Sequence, residues 1–236
     1  MSVFGEWEQK DAASGVAHGA ARKKLNPGNG RWLGINGLIK RAFDILISLA
    51  ALIVLLPLLL MIAFLIAATS SGPVLFHQCR VGRGGASFNM LKFRSMHTDA
   101  EARLQALLDA DPDARAEWQV FQKLANDPRV TWIGRFIRKS SLDELPQLIN
   151  VLRGDMSIVG PRPILPMQRD FLGAHLPAYE VARPGITGLW QVRGRNDLPF
   201  SKRAELGTEY VENWSLRLDM TILAATVPAI FRARTS

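Results

Sequence analysis

The sequence predicts a mainly helical α+β protein held at a membrane by a re-entrant helix hairpin, and three observations carry the prediction. Residues Ile45 to Ala68 make 24 consecutive residues without a charge, interrupted only by Ser48 and Pro57. Beyond them, several segments repeat apolar residues at helical spacing. Between the two lies one extended pair of segments around Gly82-Arg83-Gly84-Gly85, which supplies the small β-hairpin.

Composition sets the outer bounds. The 236 residues are 48% hydrophobic and 21% charged, which excludes a long disordered chain. Twenty-nine Lys plus Arg stand against 21 Asp plus Glu, so the net +8 calls for an anionic partner: nucleic acid, anionic lipid or a phosphorylated substrate. Cys79 is the only cysteine, which excludes an intramolecular disulfide and a multi-cysteine zinc site and suits a reducing compartment. His18, His77, His97 and His175 are too dispersed for a helical metal pair.

Taken in order, residues 1–34 read as a mobile basic tail with a turn cluster at Asn26-Pro27-Gly28-Asn29-Gly30. Residues 35–70 hold the membrane segment. As a straight helix its uncharged core would measure about 36 Å, enough to cross a hydrocarbon layer of about 30 Å. Charge placement argues against a crossing. Arg22, Lys23, Lys24, Arg31, Lys40 and Arg41 precede the run, Arg80, Arg83, Lys92 and Arg94 follow it, and neither flank carries an acidic residue between Ala12 and Phe43 or between Thr69 and Thr98. Both flanks therefore read as cytoplasmic. Pro57, at the centre, removes a helical hydrogen bond, so the preferred reading is a helix–break–helix hairpin that enters and leaves one leaflet. A kinked helix that spans once is the alternative. Asp44 is expected at the interface, in an ion pair with Lys40 or Arg41.

Residues 71–236 form the cytoplasmic domain, with interfacial helices. Val74 to Val81 and Ser87 to Met96 pair across the glycine turn; Asp99 to Leu108 and Pro112 to Ala125 follow as helices. Leu189 to Val192 reads as extended, and Phe200 to Trp214 and Leu216 to Phe231 as helices. Trp190 and Trp214 suit either the headgroup level or a buried core. Asp155, Asp197 and Asp219 read by default as turn or capping residues.

Chemistry concentrates between Arg135 and Pro163, in RFIRKSSLDELPQLINVLRGDMSIVGPRP. Locally, Ser141-x-x-Glu144 is a capping box, Asp143 an N-cap, and Gly154 a helix stop. The surroundings suggest more. Arg135, Arg138, Lys139, Arg153 and Arg162 lie nearby in sequence, with Lys92 and Arg94 available from the hairpin. A carboxylate among cations is favoured in its ionised form and suits a nucleophile or metal ligand, while the cations suit phosphate. Lys92, Arg94, Arg138 and Arg162 are the candidate phosphate contacts. A surface cation is the alternative for each, although the Pro161-Arg162-Pro163 frame fixes the direction of Arg162.

The order KRAFDILISLAALIVLLPLLL, LKFRSM, SLDELPQLINVLRGDMSIVGPRP, RPGITGLWQVRGRND and YVENWSLRLDM, from about Ile39 to Ala233, resembles the bacterial sugar transferases, the monotopic polyprenyl-phosphate phosphoglycosyl transferases. It is most similar to the small members that begin exopolysaccharide synthesis. The resemblance implies an enzyme of the bacterial inner membrane, on its cytoplasmic face, that transfers hexose 1-phosphate from a UDP-hexose to undecaprenyl phosphate with Mg²⁺. UDP-galactose is favoured and UDP-glucose is next. By motif match Asp143 would attack the sugar-linked phosphate and form a covalent phosphosugar-enzyme. Glu144 would assist proton removal or place the metal, for which Asp143 is the candidate ligand. Arg195 and Asn196 would lie in the nucleotide-sugar region, with a purely structural turn as the alternative. The family's membrane break usually carries Ser-Pro, whereas Leu56-Pro57 stands here.

Membrane lipids are further expected partners, nucleic acid is not, and a homo-oligomer is left open. A non-catalytic reading competes: a single-pass tethered scaffold or a protein binding an anionic polymer. It offers no reason for Asp143-Glu144 within a basic surround, and incubation with labelled UDP-sugar separates the two.

Overall fold

The computed structural model describes residue 32 and residues 34–121, 124, 126–194 and 198–232. The expected tail, apart from Trp32 and Gly34, and the candidates Arg195 and Asn196 fall outside these described residues. The described residues divide into two compact units: those within 98–130, and those within 32–97 together with 131–232.

In the larger unit the apolar run forms one helix, α1 (Gly34–Thr69), with Pro57 inside it. Two separate arms were expected, and the structure has a single helical run instead. Proline removes only its own N–H from the ladder, and the apolar residues on both sides continue the helix past it. The helix buries one stripe and exposes the rest. Lys40, Asp44, Ser48, Ile62 and Ile66 are buried, while Ile53, Val54, Leu56, Leu60, Met61 and Phe64 stay exposed. The buried residues recur mostly every four positions, the spacing of one helix face.

After α1, β1 (Leu75–Val81) and β2 (Ser87–Phe93) pair antiparallel as expected, with Phe76 opposite Lys92 and Arg80 opposite Phe88. In the smaller unit α2 (Ala100–Ala110) and α3 (Pro112–Phe121) occupy the predicted helical stretches. The Asp111 carboxylate accepts from the backbone N–H groups of Asp113 and Ala114 at the start of α3, and Arg129 stacks 4.7 Å from the Trp118 ring centre.

The larger unit continues with α4 (Trp132–Lys139) and α5 (Gln147–Arg153). A second two-stranded sheet, which the sequence reading lacked, pairs β3 (Ser157–Val159) parallel with β4 (Gly185–Thr187). Between its strands lies α6 (Leu176–Val181). Leu189–Val192, read as extended, is one helical turn, α7. It buries Leu189 and Trp190 in the core, which places its packing partners in control of its conformation rather than β propensity. The chain ends in α8 (Phe200–Glu212) and α9 (Leu216–Arg232).

The main core gathers Met90, Leu148, Val151, Met156, Leu206 and Tyr210, with Trp190 and Trp214 inside it rather than at a surface. A second core joins Ile62 and Ile66 of α1 to Phe93, Ile133 and Ile137. At Gly134 the α4 backbone lies so close to the hairpin that an added Cβ would stand 1.9 Å from the Ser95 carbonyl oxygen. Gly134→Ala is therefore expected to destabilise by about 1–3 kcal/mol, read as a lower denaturation midpoint of the purified protein. An unchanged midpoint would show that α4 can withdraw from the hairpin at no cost.

A buried polar network fixes the first part of α1. Lys40 Nζ lies 3.2 Å from Asp44 Oδ1 and 2.8 Å from Asp219 Oδ2. Ser157 Oγ and the Ile158 N–H donate to Asp44 at 3.0 and 3.1 Å. The Tyr210 hydroxyl donates to Asp219 at 2.7 Å, and the Trp214 indole at 3.3 Å. Asp44 does pair with Lys40 as expected, but beneath protein rather than at an interface. Asp219 is a structural acceptor at the centre of this network, beyond the turn or cap first assigned to it.

Candidate active site

The two adjacent carboxylates lie on a short 3-10 turn, Leu142–Glu144, between α4 and α5. The capping box expected at Ser141-x-x-Glu144 is absent, since Ser141 makes no side-chain cap and adopts φ 59°, ψ 18°. Among the described residues it is the one non-glycine with positive φ, a conformation that costs energy and so requires support from its surroundings. The 3-10 turn sets the two side chains about 120° apart around its axis, so Asp143 and Glu144 meet through a shared cation rather than side by side.

Lys92 meets both carboxylates. Its Nζ donates to Glu144 Oε1 at 2.6 Å and lies 4.0 Å from Asp143 Oδ2. Burial pushes the Asp143 carboxyl up to about 6, with Glu144 acting in the same direction and Lys92 and Arg138 opposing it. Arg138 leaves α4 exposed beside this pair, where its charge reaches Asp143.

Arg80 and Arg162 also lie within reach of the Glu144 charge. Burial, then the charge of Arg162, lowers Arg80 to about 10, while Glu144 raises it, so these three groups share one electrostatic neighbourhood. Arg80 is held by the Pro163 carbonyl at 3.2 Å and Gln78 Oε1 at 2.6 Å. Arg162 stacks 4.5 Å from the Trp190 ring centre, and Arg203 lies 5.6 Å from it. Both guanidiniums gain from the ring's negative face and crowd one another. Burial and Arg203 accordingly lower the Arg162 pKa.

Three of the four predicted phosphate contacts thus converge: Lys92, Arg138 and Arg162. Arg94 goes elsewhere. It is buried, and its guanidinium donates to the Ser70 carbonyl and hydroxyl at 2.7 Å, closing the end of α1. Arg80, Arg203 and Trp190 join the site from segments that sequence reading had assigned to flank, helix and core. The alternation of the β-hairpin was the available signal for Arg80, because it stands on the same strand pair as Lys92.

Asn150 supports the arrangement. Its fully buried amide accepts from the Leu91 N–H at 2.9 Å and donates to the Asn89 carbonyl at 2.8 Å. One side chain on α5 thereby fixes the strand that carries Lys92. Asn150→Leu is expected to lower stability by about 2–4 kcal/mol, since two backbone groups lose their partners. Measured at a temperature where the variant remains folded, activity should fall as well, because Lys92 loses its register against Glu144. Full activity there would show that β2 is held without Asn150.

A family model described as bacterial sugar transferase matches residues 35–233, most of the chain and all of this site. The chain belongs to the bacterial sugar transferase family. It is 44% identical over 202 residues to the exopolysaccharide production protein ExoY of Sinorhizobium fredii, covering 86% of this chain and 89% of that one. Over 194 residues it is 47% identical to the undecaprenyl-phosphate galactose phosphotransferase of Salmonella typhimurium, covering 82% of this chain but 40% of that one. The UDP-glucose:undecaprenyl-phosphate glucose-1-phosphate transferase of Caulobacter vibrioides is 41% identical over 201 residues, covering 82% and 70%. For this sugar transferase the described residues contain no group of three or more His, Cys, Asp or Glu side chains arranged for a metal ion. They contain one helix long and apolar enough to cross a membrane.

Proposed function

We propose that this sugar transferase moves hexose 1-phosphate from a UDP-hexose to undecaprenyl phosphate, beginning exopolysaccharide synthesis, through a covalent phosphosugar on Asp143. The observation that carries the reading is the half-sheltered Asp143-Glu144 pair in contact with Lys92 and within reach of the charges of Arg138, Arg80 and Arg162. Such a site gathers phosphate oxygens around a carboxylate that can attack them. Relatives named for galactose and for glucose transfer support the class of sugar; UDP-galactose is the preferred donor of this reading.

In the first step an Asp143 oxygen attacks the sugar-linked phosphorus of the donor. The diphosphate bond to that phosphorus breaks, and UMP departs with the bonding electrons. Lys92 and Arg138 bring the phosphate toward a carboxylate that would otherwise repel it, and Arg80 and Arg162 hold the charge that grows on the leaving UMP. In the second step an oxygen of undecaprenyl phosphate attacks the same phosphorus, and the bond to Asp143 breaks. The carboxylate is thereby restored. Glu144, tied to Lys92, takes the proton when the lipid phosphate arrives as its monoanion. Using one cationic site in two steps lets two anionic substrates enter in turn.

The donor set fits Mg²⁺ held mainly by substrate. Asp143 and Glu144 supply hard oxygen ligands, and too few of them for a cage made by protein alone. The ion would rest on Asp143 and donor phosphate oxygens, neutralising the diphosphate when bound.

The membrane placement of this reading has both ends of α1 on the cytoplasmic face of the bacterial inner membrane. One stripe of the helix packs on the same unit from Asp44, bonded to Ser157, to Ile66, packed against the core of Phe93 and Ile137. A helix fastened along its length to one water-facing unit does not carry its ends to opposite sides of a bilayer. Its unpacked apolar face, with the exposed Trp132 and Phe136 of α4, suits shallow immersion in one leaflet.

Purified full-length protein incubated with undecaprenyl phosphate, Mg²⁺ and a panel of UDP-sugars tests the function. The expected products are UMP and a lipid-linked hexose diphosphate, formed faster from UDP-galactose than from UDP-glucose. Absence of lipid product from every donor would overturn the reaction, and equal rates would overturn the donor preference.

A further inference from the structure

At the opposite end of α5 from the carboxylates, a cleft of about 380 Å³ opens where α1 begins. We propose that it is a binding site for a phosphate-bearing anion, in the membrane the headgroup of an anionic phospholipid, held by Arg41, Arg83 and Arg183. The site is distinct from the transfer site. Arg41 donates to the Val151 and Leu152 carbonyls at 2.5 and 2.9 Å, and Arg183 donates through Nε to the Gly154 carbonyl at 2.8 Å. These contacts are at the C-terminal end of α5, about 10 Å along the helix from the end that follows Glu144.

The charge of the cleft is unbalanced. Asp44 is the one carboxylate among its lining residues, and it is committed to Lys40, Ser157 and the Ile158 N–H. Glu180, on neighbouring α6, is committed to Arg169 at 2.6 Å. Among the described residues none of the three arginines has a salt-bridge partner. They also press on one another: burial first, then the charges of Arg83 and Arg41, lower the pKa of Arg183. The carbonyl contacts hold Arg41 and Arg183 in place while leaving part of each five-donor fork unused. Fixed guanidiniums with spare donors are suited to phosphate oxygens. Arg83 comes from the hairpin turn, where Gly84 and Gly85 take φ 69° and 76°. The glycine turn thus serves as the mount for a third cation.

The remaining walls suit a lipid. Trp32 and Leu38 line the cleft, and Leu38, Ile35 and Ile39 continue it along the exposed apolar side of α1. A phosphate seated among the arginines would leave its acyl chains along that side. The lipid source rests on the membrane placement proposed above, whereas the anion site itself does not.

The test uses the full chain in neutral detergent, with thermal unfolding read against added dihexanoyl phosphatidylglycerol, dihexanoyl phosphatidylcholine or inorganic phosphate. Phosphatidylglycerol should raise the midpoint at lower concentration than inorganic phosphate, and phosphatidylcholine should have little effect. The apparent affinity for phosphatidylglycerol should fall at least tenfold in Arg83→Ala and in Arg183→Lys, and stay unchanged in Arg115→Ala, which removes an exposed cation elsewhere. Arg83→Ala lies on the half-buried hairpin turn, away from the carboxylates, and should keep its basal transfer rate in neutral detergent. A response to phosphate but not to the lipid would overturn the lipid source alone. Equal responses to the two lipids, or an undiminished response in Arg83→Ala and Arg183→Lys, would overturn the site. Because the readout is unfolding, its result does not depend on whether the enzyme turns over.

Discussion

Asp219→Ala is expected to destabilise the protein by roughly 3–5 kcal/mol, a large share of the total for a domain of this size. The substitution leaves Lys40 buried without the carboxylate that stands 2.8 Å away, and it takes the acceptor from the Tyr210 hydroxyl and the Trp214 indole. Asp44 would remain to Lys40, but that carboxylate already accepts from Ser157 and from a backbone N–H. The effect should reach α1. With Lys40 no longer fixed to α9, the start of the membrane helix loses its tie to that helix and is held by Arg41 and Asp44 alone among its charged groups, while Ile62 and Ile66 keep their packing on Phe93 and Ile137. Unfolding of the purified protein in detergent, followed by tryptophan fluorescence, measures the loss because Trp214 reports on the network. Asp219→Asn should fall between, since an amide can still accept from Tyr210. A loss below about 1 kcal/mol for the alanine variant would mean that Lys40 reaches water and that the network does not hold α1.

Asp143→Asn has the largest expected effect on activity and an opposite effect on stability. Replacing the nucleophilic carboxylate by a neutral amide should lower transfer at least about a thousandfold. In protein free of metal and substrate the same change should stabilise the fold, by on the order of 1–2 kcal/mol at pH 7 to 8. The sign follows from the carboxyl pKa of about 6, above its ordinary 3.8, with burial as the first cause. The folded state therefore binds this proton more tightly than the unfolded chain does. Its contribution to stability is complete below pH 3.8 and is lost as pH rises through 6. Near neutrality the wild type holds a sheltered charge at a cost that asparagine removes. The stability difference should shrink as pH falls from 6 toward 4 and vanish below it. A variant less stable than wild type at pH 8 would mean that attraction from Lys92 outweighs burial.

The sequence made the candidate site legible because its acidic pair and surrounding cations are local in the chain. Asp143, Glu144, Arg138 and Arg162 lie within one stretch, and Lys92 comes from the predicted hairpin. The helices α8 and α9 were equally readable from their apolar spacing. What escaped depends on contacts between distant segments. Asp219 resembled a cap because its partners Lys40 and Tyr210 are brought to it only by the fold. Arg94 resembled a phosphate ligand, being two residues from Lys92, yet the strand end turns it to Ser70. Leu189–Val192 has the residues of a strand and is helical because Trp190 must reach the core beneath Arg162 and Arg203. The left-handed Ser141 was invisible for another reason: its sequence suits a cap, and only the short turn between α4 and α5 selects the strained alternative.

In the proposed reaction a carboxylate oxygen of Asp143 carries the sugar phosphate. Full-length protein incubated with UDP-galactose and Mg²⁺, without undecaprenyl phosphate, then denatured and digested, puts this to mass spectrometry. One hexose phosphate should be found on the peptide containing Asp143, it should disappear when undecaprenyl phosphate is added, and it should be absent from Asp143→Ala. Lipid-linked product formed at the wild-type rate by Asp143→Ala would contradict the account.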